Sequence, residues 1–273
     1  MRKWTTTIVT TGLAAIAVAG CTSSKKTEGT PVSPPATPGS SSTQTGGGGG
    51  AGGPLAGAAF VAAATTAVEK AQTVKVKETM SLLGIPLTAN GVAKFDDQTV
   101  AADVTSSTPV GPVQVIIVDG DVYVKGLTKG AAGKPWTKNA GESKDIASAL
   151  KQSDPRLALK MFSDVGTLKP VGTETVNGVS ATHYSVTVEL AKLAKKFPDL
   201  ASVFNELIKQ GIKTQDVQLW VDSQQRPVRI VTSAEIPNPA KPGSKITSNQ
   251  TVDFTDWGAP VTIQAPPADQ VAN

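Results

Sequence analysis

The chain has very little cysteine and histidine. Cys21 is the only cysteine among its 273 residues, and His183 is the only histidine. A single cysteine cannot form an internal disulfide, and zinc sites rich in cysteine or histidine need more ligands than this chain has. If the chain is exported, its folded part must therefore be stabilised by core packing alone.

Strong or concentrated charge is also missing. The formal net charge is +4, and removing Arg2 and Lys3 with an N-terminal signal lowers it to +2. The remaining positive charges are scattered along the sequence instead of forming one basic segment. A nucleic-acid partner is therefore not expected.

Motifs for catalysis, phosphate binding and calcium binding are absent as well. The sequence contains no G-x-S-x-G elbow, no EF-hand spacing and no phosphate loop. His183 alternates with Ala181 and Ser185, which places it on the polar face of a strand. The acidic pairs Asp96-Asp97 and Asp119 with Asp121 lie in tight turns, where Asp is favoured for backbone reasons. We expect no enzyme activity, no metal and no other cofactor.

No apolar run is long enough for a membrane-spanning helix, which needs about 20 residues. The run Ile8–Val18 is shorter, follows the positive Arg2 and Lys3, and precedes small residues. This layout predicts a secretory signal over residues 1–20.

The ending Val18-Ala19-Gly20-Cys21 resembles a bacterial lipobox, with Val18 in place of the commoner leucine. The resemblance implies cleavage before Cys21, a diacylglycerol on its thiol and often an acyl chain on the new amine. Two or three acyl chains anchor a protein stably. The predicted location is the extracytoplasmic side of the cell membrane, held by acylated Cys21. An ordinary cleaved signal followed by an unrelated cysteine is the alternative.

Residues 21–54 consist of this cysteine and a stretch rich in Ser, Thr, Pro and Gly. Such a stretch has too little apolar surface to offset its ordering entropy, so it is predicted to be a disordered tether. A chain of about 32 residues of this type spans roughly 30 Å. About 220 residues remain, enough for one large domain. We place this domain at residues 55–264 and a loose C-terminal tail at 265–273.

Periodicity predicts an α+β domain. Helices are expected at 55–71, from Pro155 onward, and at 190–210 with an interruption at Pro198. Strands are expected at 74–82, 87–95, 99–105, 113–118, 122–125, 168–174, 181–188, 216–222, 228–233 and 245–254, with a short one at 261–263. This order fits one antiparallel sheet of about ten strands with helices on one face, and a sheet that large tends to curl.

Three stretches carry a family resemblance. They are VIIVDGDVYVKG at 115–126, VGTETVNGVSATHYSVTV at 171–188 and LWVDSQQRPVRI at 219–230. Together with the lipobox, tether and leading helix, they resemble the LppX/LprG-type actinobacterial lipoproteins, a family similar to the LolA/LolB carriers. The resemblance implies a strongly curved antiparallel half-barrel whose concave face is covered by helices. An apolar cavity between them would hold the acyl chains of a lipid, glycolipid or lipoprotein.

Strand alternation and helix spacing supply the candidate cavity residues. The strand candidates are Val76, Met80, Val115, Ile117, Tyr184, Val186, Leu219, Val221, Ile230, Val252 and Phe254. The helical candidates, which would form a lid, are Met161, Phe162, Leu193, Phe197, Phe204 and Ile208. A filled hydrophobic core is the alternative for every one of them.

Two residues depart from the simple pattern. Glu78 falls on the apolar face of its strand, where it would contact a lipid headgroup. The alternatives, which the sequence favours, are an inward-pointing charge on an edge strand that discourages aggregation and a bulge that shifts the alternation. Trp220 alternates with Gln218 and Asp222 and so faces outward, either as a contact patch or covered by a loop.

The resemblance implies a membrane-anchored lipoprotein that binds and carries a lipid or acylated glycolipid. Its expected partners are the membrane, the lipid ligand and a membrane export pump. The alternative is an envelope interaction or sensory lipoprotein whose LolA-like domain has a filled core and recognises a protein.

Overall fold

The computed structural model describes residues 57–82, 85–95, 100–109, 111–126, 133–138, 154–165, 168–209, 211–238 and 243–272. The predicted signal, the Cys21 anchor, the tether and the Asp96-Asp97 turn lie outside these residues.

The described part contains four α-helices, and none of them is long and apolar enough to cross a membrane. They are α1 (Gly57–Ala71), α2 (Pro155–Val165), α3 (Leu190–Lys196) and α4 (Ala201–Lys209). Short 3₁₀ turns cover Pro198–Leu200 and Ala268–Gln270. The predicted interruption at Pro198 is thus confirmed.

Helix α2 begins where the sequence predicts it. The Asp154 carboxylate accepts a hydrogen bond from the backbone N–H of Arg156 at 2.9 Å, and Pro155 occupies the first helical position. A capping carboxylate followed by proline suits a helix start, because the first N–H groups have no partner within the helix. Met161 and Phe162 then point into the core.

Among the described residues, twelve strands form one open sheet. They are β1 (Thr73–Leu82), β2 (Ile85–Phe95), β3 (Val100–Thr108), β4 (Gly111–Val118), β5 (Asp121–Lys125), β6 (Trp136–Lys138), β7 (Lys169–Val176), β8 (Val179–Glu189), β9 (Thr214–Val221), β10 (Pro227–Pro237), β11 (Lys245–Thr255) and β12 (Val271–Ala272). The order across the sheet is β12-β6-β5-β4-β3-β2-β1-β11-β10-β9-β8-β7. Every pair is antiparallel except β12 with β6. The predicted single sheet and α+β class are confirmed, with twelve strands instead of about ten.

The two-residue hairpin turns explain part of this register. Asp119 and Gly120 have φ angles of 54° and 80°, and Asn177 and Gly178 have φ angles of 51° and 80°. Two successive positive φ angles match the twist of antiparallel strands, and Asn-Gly and Asp-Gly adopt them most readily. Both predicted turns are confirmed.

The C-terminal part differs from the prediction. Residues 261–263 do not form a strand, whereas Val271 pairs with Trp136 as part of β12. Val271 and Ala272 are buried, so the segment predicted as a loose tail is held against the sheet at its end. Strand β12 has too few residues to show alternation, and its partner strand β6 lies far away in the sequence. No local sequence pattern therefore predicts this strand.

The main core lies between the helices and one face of the sheet, here called the inner face. Phe60 and Val68 of α1, Leu159 of α2 and Leu193 of α3 join one buried cluster with the sheet residues Val115 and Leu219. On the outer face, Ile116 packs in a second cluster with Tyr123, Trp136 and Val271. Strand β4 is therefore covered on both sides, as its doubly apolar sequence predicts.

Candidate functional site

The inner face brings the predicted cavity residues together. All of the strand and helical candidates except Met80 belong to the main core cluster, with Val76, Phe197 and Ile208 at its partly buried margin. Met80 is itself buried, with 7% of its surface exposed. The alternation therefore placed these residues on the correct face. A lipid-holding role for them stays a prediction.

Helix α1 contributes a residue that the predicted lid did not include. The ring of Phe60 lies 4.9 Å from the ring of Tyr184, centroid to centroid, and neither residue is exposed by more than 1%. Phe60 belongs to the apolar stripe of α1, a helix whose commonest residue is alanine. This stripe was the sequence feature that could have predicted a place for Phe60 in the cover. The cover over the inner face is thus formed by α1 as well as by α2, α3 and α4.

Three aromatic side chains cover the inner face near the start of β1. Trp257 lies 5.9 Å from the ring of Phe254 and 6.4 Å from that of Phe95, and its indole N–H donates to the carbonyl of Pro227 at 2.8 Å. The guanidinium of Arg156 lies 5.5 Å from the centre of the Phe95 ring. This end of the inner face is therefore apolar, and the ion pair of Arg156 with Asp154 lies at its rim.

Further along the same strands the inner face becomes polar. Glu78 is buried, and its carboxylate accepts a hydrogen bond from Nε2 of Gln250 at 2.6 Å. Burial raises the pKa of Glu78 to about 7, and the bond from Gln250 lowers it only in part.

The structure contradicts both structural alternatives for Glu78. Strand β1 lies between β2 and β11 in the sheet, so it is a central strand and not an edge. The pairing register runs without a shift on both sides of Glu78, so no bulge turns this side chain inward. A carboxyl group is therefore built into the regular inner face.

Other buried polar side chains lie around Glu78. They share the inner phase of their strands with apolar residues such as Val104, Leu219 and Val252. With Glu78, the polar stripe consists of Ser106, Gln250, Thr232 and Gln215. Each member occupies a position where the alternation of its strand predicts an apolar residue. From the sequence, this departure was predicted to matter only for Glu78.

A surface groove of about 520 Å³ lies between α1 and α2. Its lining combines small apolar residues with a charged rim, namely Ala58, Val61, Ala62, Thr65, Glu69, Arg156, Leu157, Lys160 and Asp164. None of these residues was a cavity candidate. Arg156 lies at the rim of both the groove and the inner face, and Val61 and Leu157 of the groove also pack against the main core cluster.

Comparisons with known proteins give the fold. No family model matches the chain. In solved structures, LprF from Mycobacterium bovis matches with a TM-score of 0.53 and 17% identity, over 76% of this chain and 95% of LprF. The chain has the LppX/LprG-type fold. LppX from Mycobacterium tuberculosis matches with a TM-score of 0.48 and 16% identity, over 76% of this chain and 97% of LppX.

A comparison of sequences also finds a relative. An uncharacterized 31.2 kDa protein in the rplA–rplJ intergenic region of Streptomyces griseus is 29% identical over 180 residues. The match covers 60% of this chain and 57% of that protein, so the chain spans less than two thirds of its relative. At these identities the likeness to LprF concerns the fold and does not identify a ligand.

On the outer face of this LppX/LprG-type sheet, His183 belongs to a side-chain network. Its ring stacks on Trp220 at 4.2 Å, its Nε2 lies 2.8 Å from Oε1 of Gln218, and its Nδ1 lies 3.1 Å from Oε1 of Glu174. The indole N–H of Trp220 donates to the same carboxylate at 2.5 Å. Trp220 therefore faces outward as predicted, but neighbouring side chains cover it in part.

His183 thus lies on the face opposite to Tyr184, as its alternation predicts. Within the described residues, no three or more His, Cys, Asp or Glu side chains are grouped to hold a metal ion. In the LppX/LprG-type fold of this chain, the inner face with its polar stripe is the main candidate site.

Proposed function

We propose that the protein is a membrane-anchored lipoprotein that binds and carries a lipid or acylated glycolipid at the cell envelope. The observation that carries this proposal is the composition of the inner face. Its apolar part under the helices continues into a buried polar stripe that contains Glu78. A lining that is apolar at one end and polar at the other matches an amphipathic ligand.

The energetic role of such a site is to shelter acyl chains from water. Each CH₂ group that moves from water into the site stabilises the bound lipid by about 0.8 kcal/mol. Two long acyl chains would therefore cross the water between membranes far more readily inside a carrier than on their own. The concave side of a curved half-barrel would form the wall, and helices α1 to α4 would form the cover. Opening of this cover at a membrane would let the chains partition without any covalent chemistry.

The anchor and the tether complete the proposal. Acylated Cys21 would hold the chain on the extracytoplasmic side of the membrane, residues 21–54 would act as the tether, and residues 55–264 would bind the lipid. The likeness in fold to LprF supports a lipoprotein. A membrane export pump would be a candidate donor or acceptor of the load.

A second candidate function rests on a different observation. The core residues Phe60, Leu159 and Leu219 are fully buried, and a groove of about 520 Å³ lies outside them between α1 and α2. If the inner face is packed shut, the domain would recognise a protein partner instead of a lipid.

One experiment separates the two functions. Native mass spectrometry of the full-length chain should detect co-purifying lipid, and Val186→Trp on the inner face should abolish it. Thr187→Trp, one residue along β8 and on the outer face, is the matched control and should keep the lipid.

The stability of Val186→Trp gives a second criterion. In a lipid site, the tryptophan fills space and leaves the lipid-free protein as stable as the wild type. In a filled core it lowers the free energy of unfolding by about 1–3 kcal/mol. A wild-type chain that carries no lipid and takes up no added lipid contradicts the carrier function.

A further inference from the structure

The polar stripe runs across the strands in the middle of the sheet. Glu78 pairs with Ala89 on β2, which in turn pairs with Ser106 on β3. On the other side, Gln250 on β11 pairs with Thr232 on β10. Gln215 lies two residues before Val217, the residue of β9 that pairs with Thr232. Neighbouring strands are about 4.8 Å apart, so the stripe crosses five strand spacings, about 24 Å, from Ser106 on β3 to Gln215 on β9 and offers more than a single polar contact.

Three members of the stripe lack a side-chain hydrogen bond within the described part of the protein. They are Ser106, Gln215 and Thr232, although their exposed fractions are only 8%, 4% and 5%. In that same part, the only fully enclosed side-chain atom without a partner is Oε1 of Gln225, in the turn between β9 and β10. The hydroxyl and amide atoms of the three residues therefore border space that a small polar group can reach, and they are free to bond to it.

The stripe contains hydroxyl, amide and carboxyl groups but no cation. Among the described residues, the buried polar side chains include no lysine, arginine or histidine. The lysines of β1 near Glu78, Lys75 and Lys77, have the opposite phase and point to the outer face. On β11, Asp253 also points outward, where it pairs with Arg229. No described positive charge on the neighbouring strands thus faces Glu78 from the inner side.

We propose that the polar stripe selects an uncharged, hydroxyl-bearing headgroup of an acylated ligand and rejects a phosphate-bearing one, with Glu78 as the specificity-determining residue. This inference rests on the proposed function of lipid binding. Hydroxyl groups both donate and accept, so each of them can pair with the Gln215 amide, the Thr232 hydroxyl or the Glu78 carboxyl. A phosphate would be buried beside a carboxyl group with no cation to compensate its charge, which is costly.

The raised pKa of Glu78 agrees with this geometry. With a pKa of about 7, the carboxyl group is protonated in part of the molecules at neutral pH and ionised in most of them at pH 8. The repulsion of a phosphate should therefore be strongest in alkaline buffer, where the comparison of ligands is best made.

The test uses two probes with identical acyl chains, a glucosyl diacylglycerol and a phosphatidylglycerol. Both are titrated at pH 8 into the full-length chain after bound lipid has been removed. The wild type should bind the glucosyl lipid at least about tenfold more tightly, as expected when a site leaves polar groups unpaired with the wrong ligand. Glu78→Gln should bring the two affinities within about threefold by strengthening phosphatidylglycerol binding. Glu235→Gln, an exposed carboxylate on β10, is the control and should keep the wild-type preference.

A second variant guards against a folding defect in Glu78→Gln. Thr232→Val keeps the shape of the side chain and removes its hydroxyl, so it should weaken glucosyl lipid binding and leave phosphatidylglycerol binding unchanged. Equal or tighter binding of phosphatidylglycerol to the wild type overturns the inference and leaves lipid binding intact. An unchanged preference in Glu78→Gln overturns the role of that residue. If neither probe binds the wild type, the proposed function fails and this inference fails with it.

Discussion

A carboxyl group inside a central strand destabilises the fold whenever it is ionised. Burial raises the pKa of Glu78 from its ordinary value of 4.5 to about 7, so the folded state holds this proton more tightly than the unfolded state does. The stability that the proton contributes is fully present below about pH 4.5, and it is lost as the pH rises through about 7.

The first prediction follows from this linkage. Glu78→Gln keeps an acceptor for Gln250 and removes the ionisation, so it should be more stable than the wild type at pH 8. The shift of about 2.5 pKa units corresponds to a gain of at most about 3 kcal/mol. Near pH 4.5 the two proteins should differ little. Urea denaturation at both pH values measures the difference, with Glu235→Gln as the exposed control. A wild type whose stability does not fall between pH 5 and pH 8 contradicts the prediction.

A second residue-scale prediction concerns Gly91 on β2. A Cβ atom there would lie against the carbonyl oxygen of Asp103 and 2.8 Å from both Cα and Cγ2 of Val104. Backbone atoms cannot move aside cheaply, so Gly91→Ala should lower the free energy of unfolding by about 1–3 kcal/mol. Gly172 on β7 has open space around it, and Gly172→Ala should stay within about 1 kcal/mol of the wild type. Equal chemical denaturation midpoints for the two variants would show that the β2–β3 contact is not tight.

At the scale of elements, long strands with regular alternation were predictable because one buried face fixes their period. Strands β1, β8 and β11 lie where their alternation places them, and the Asn177-Gly178 turn fixes the pairing of β7 with β8. Strands β6 and β12 were not predicted. They are short and gain their stability from long-range pairing and from the outer-face cluster, neither of which leaves a local pattern.

This outer-face cluster gives the third prediction. Val271 is buried against Ile116, Tyr123 and Trp136, so Val271→Ala should cost about 1–2 kcal/mol. Hydrogen exchange at the amides of β6 should accelerate, because β12 is its partner on that side. Thr262→Ala, at an exposed position of the same C-terminal segment, should change neither quantity. Unchanged exchange in Val271→Ala would mean that β6 is held without β12.

At the scale of the whole molecule, the sequence predicted which side chains share the inner face but not what fills the space between them. Alternation reports the direction of Val186 or Leu219 and carries no information about the distance to the helix opposite. It also missed most of the polar stripe, because single residues such as Thr232 look like ordinary interruptions of an apolar pattern. Only the assembled sheet shows that the interruptions adjoin one another across neighbouring strands.

The last prediction concerns where the whole molecule resides. If Cys21 carries the anchor, the wild type should incorporate an alkyne fatty acid during growth and sediment with membranes, because two or three acyl chains bind a bilayer stably. Cys21→Ala should lose the label and appear in the soluble fraction. Ser23→Ala, two residues away in the same polar stretch, is the matched control and should behave as the wild type does. Because Cys21 and Ser23 lie outside the domain predicted at residues 55–264, the melting temperature should be equal in all three proteins. Equal labelling of Cys21→Ala and the wild type would contradict the anchor and leave lipid carriage to be tested as a property of a free protein.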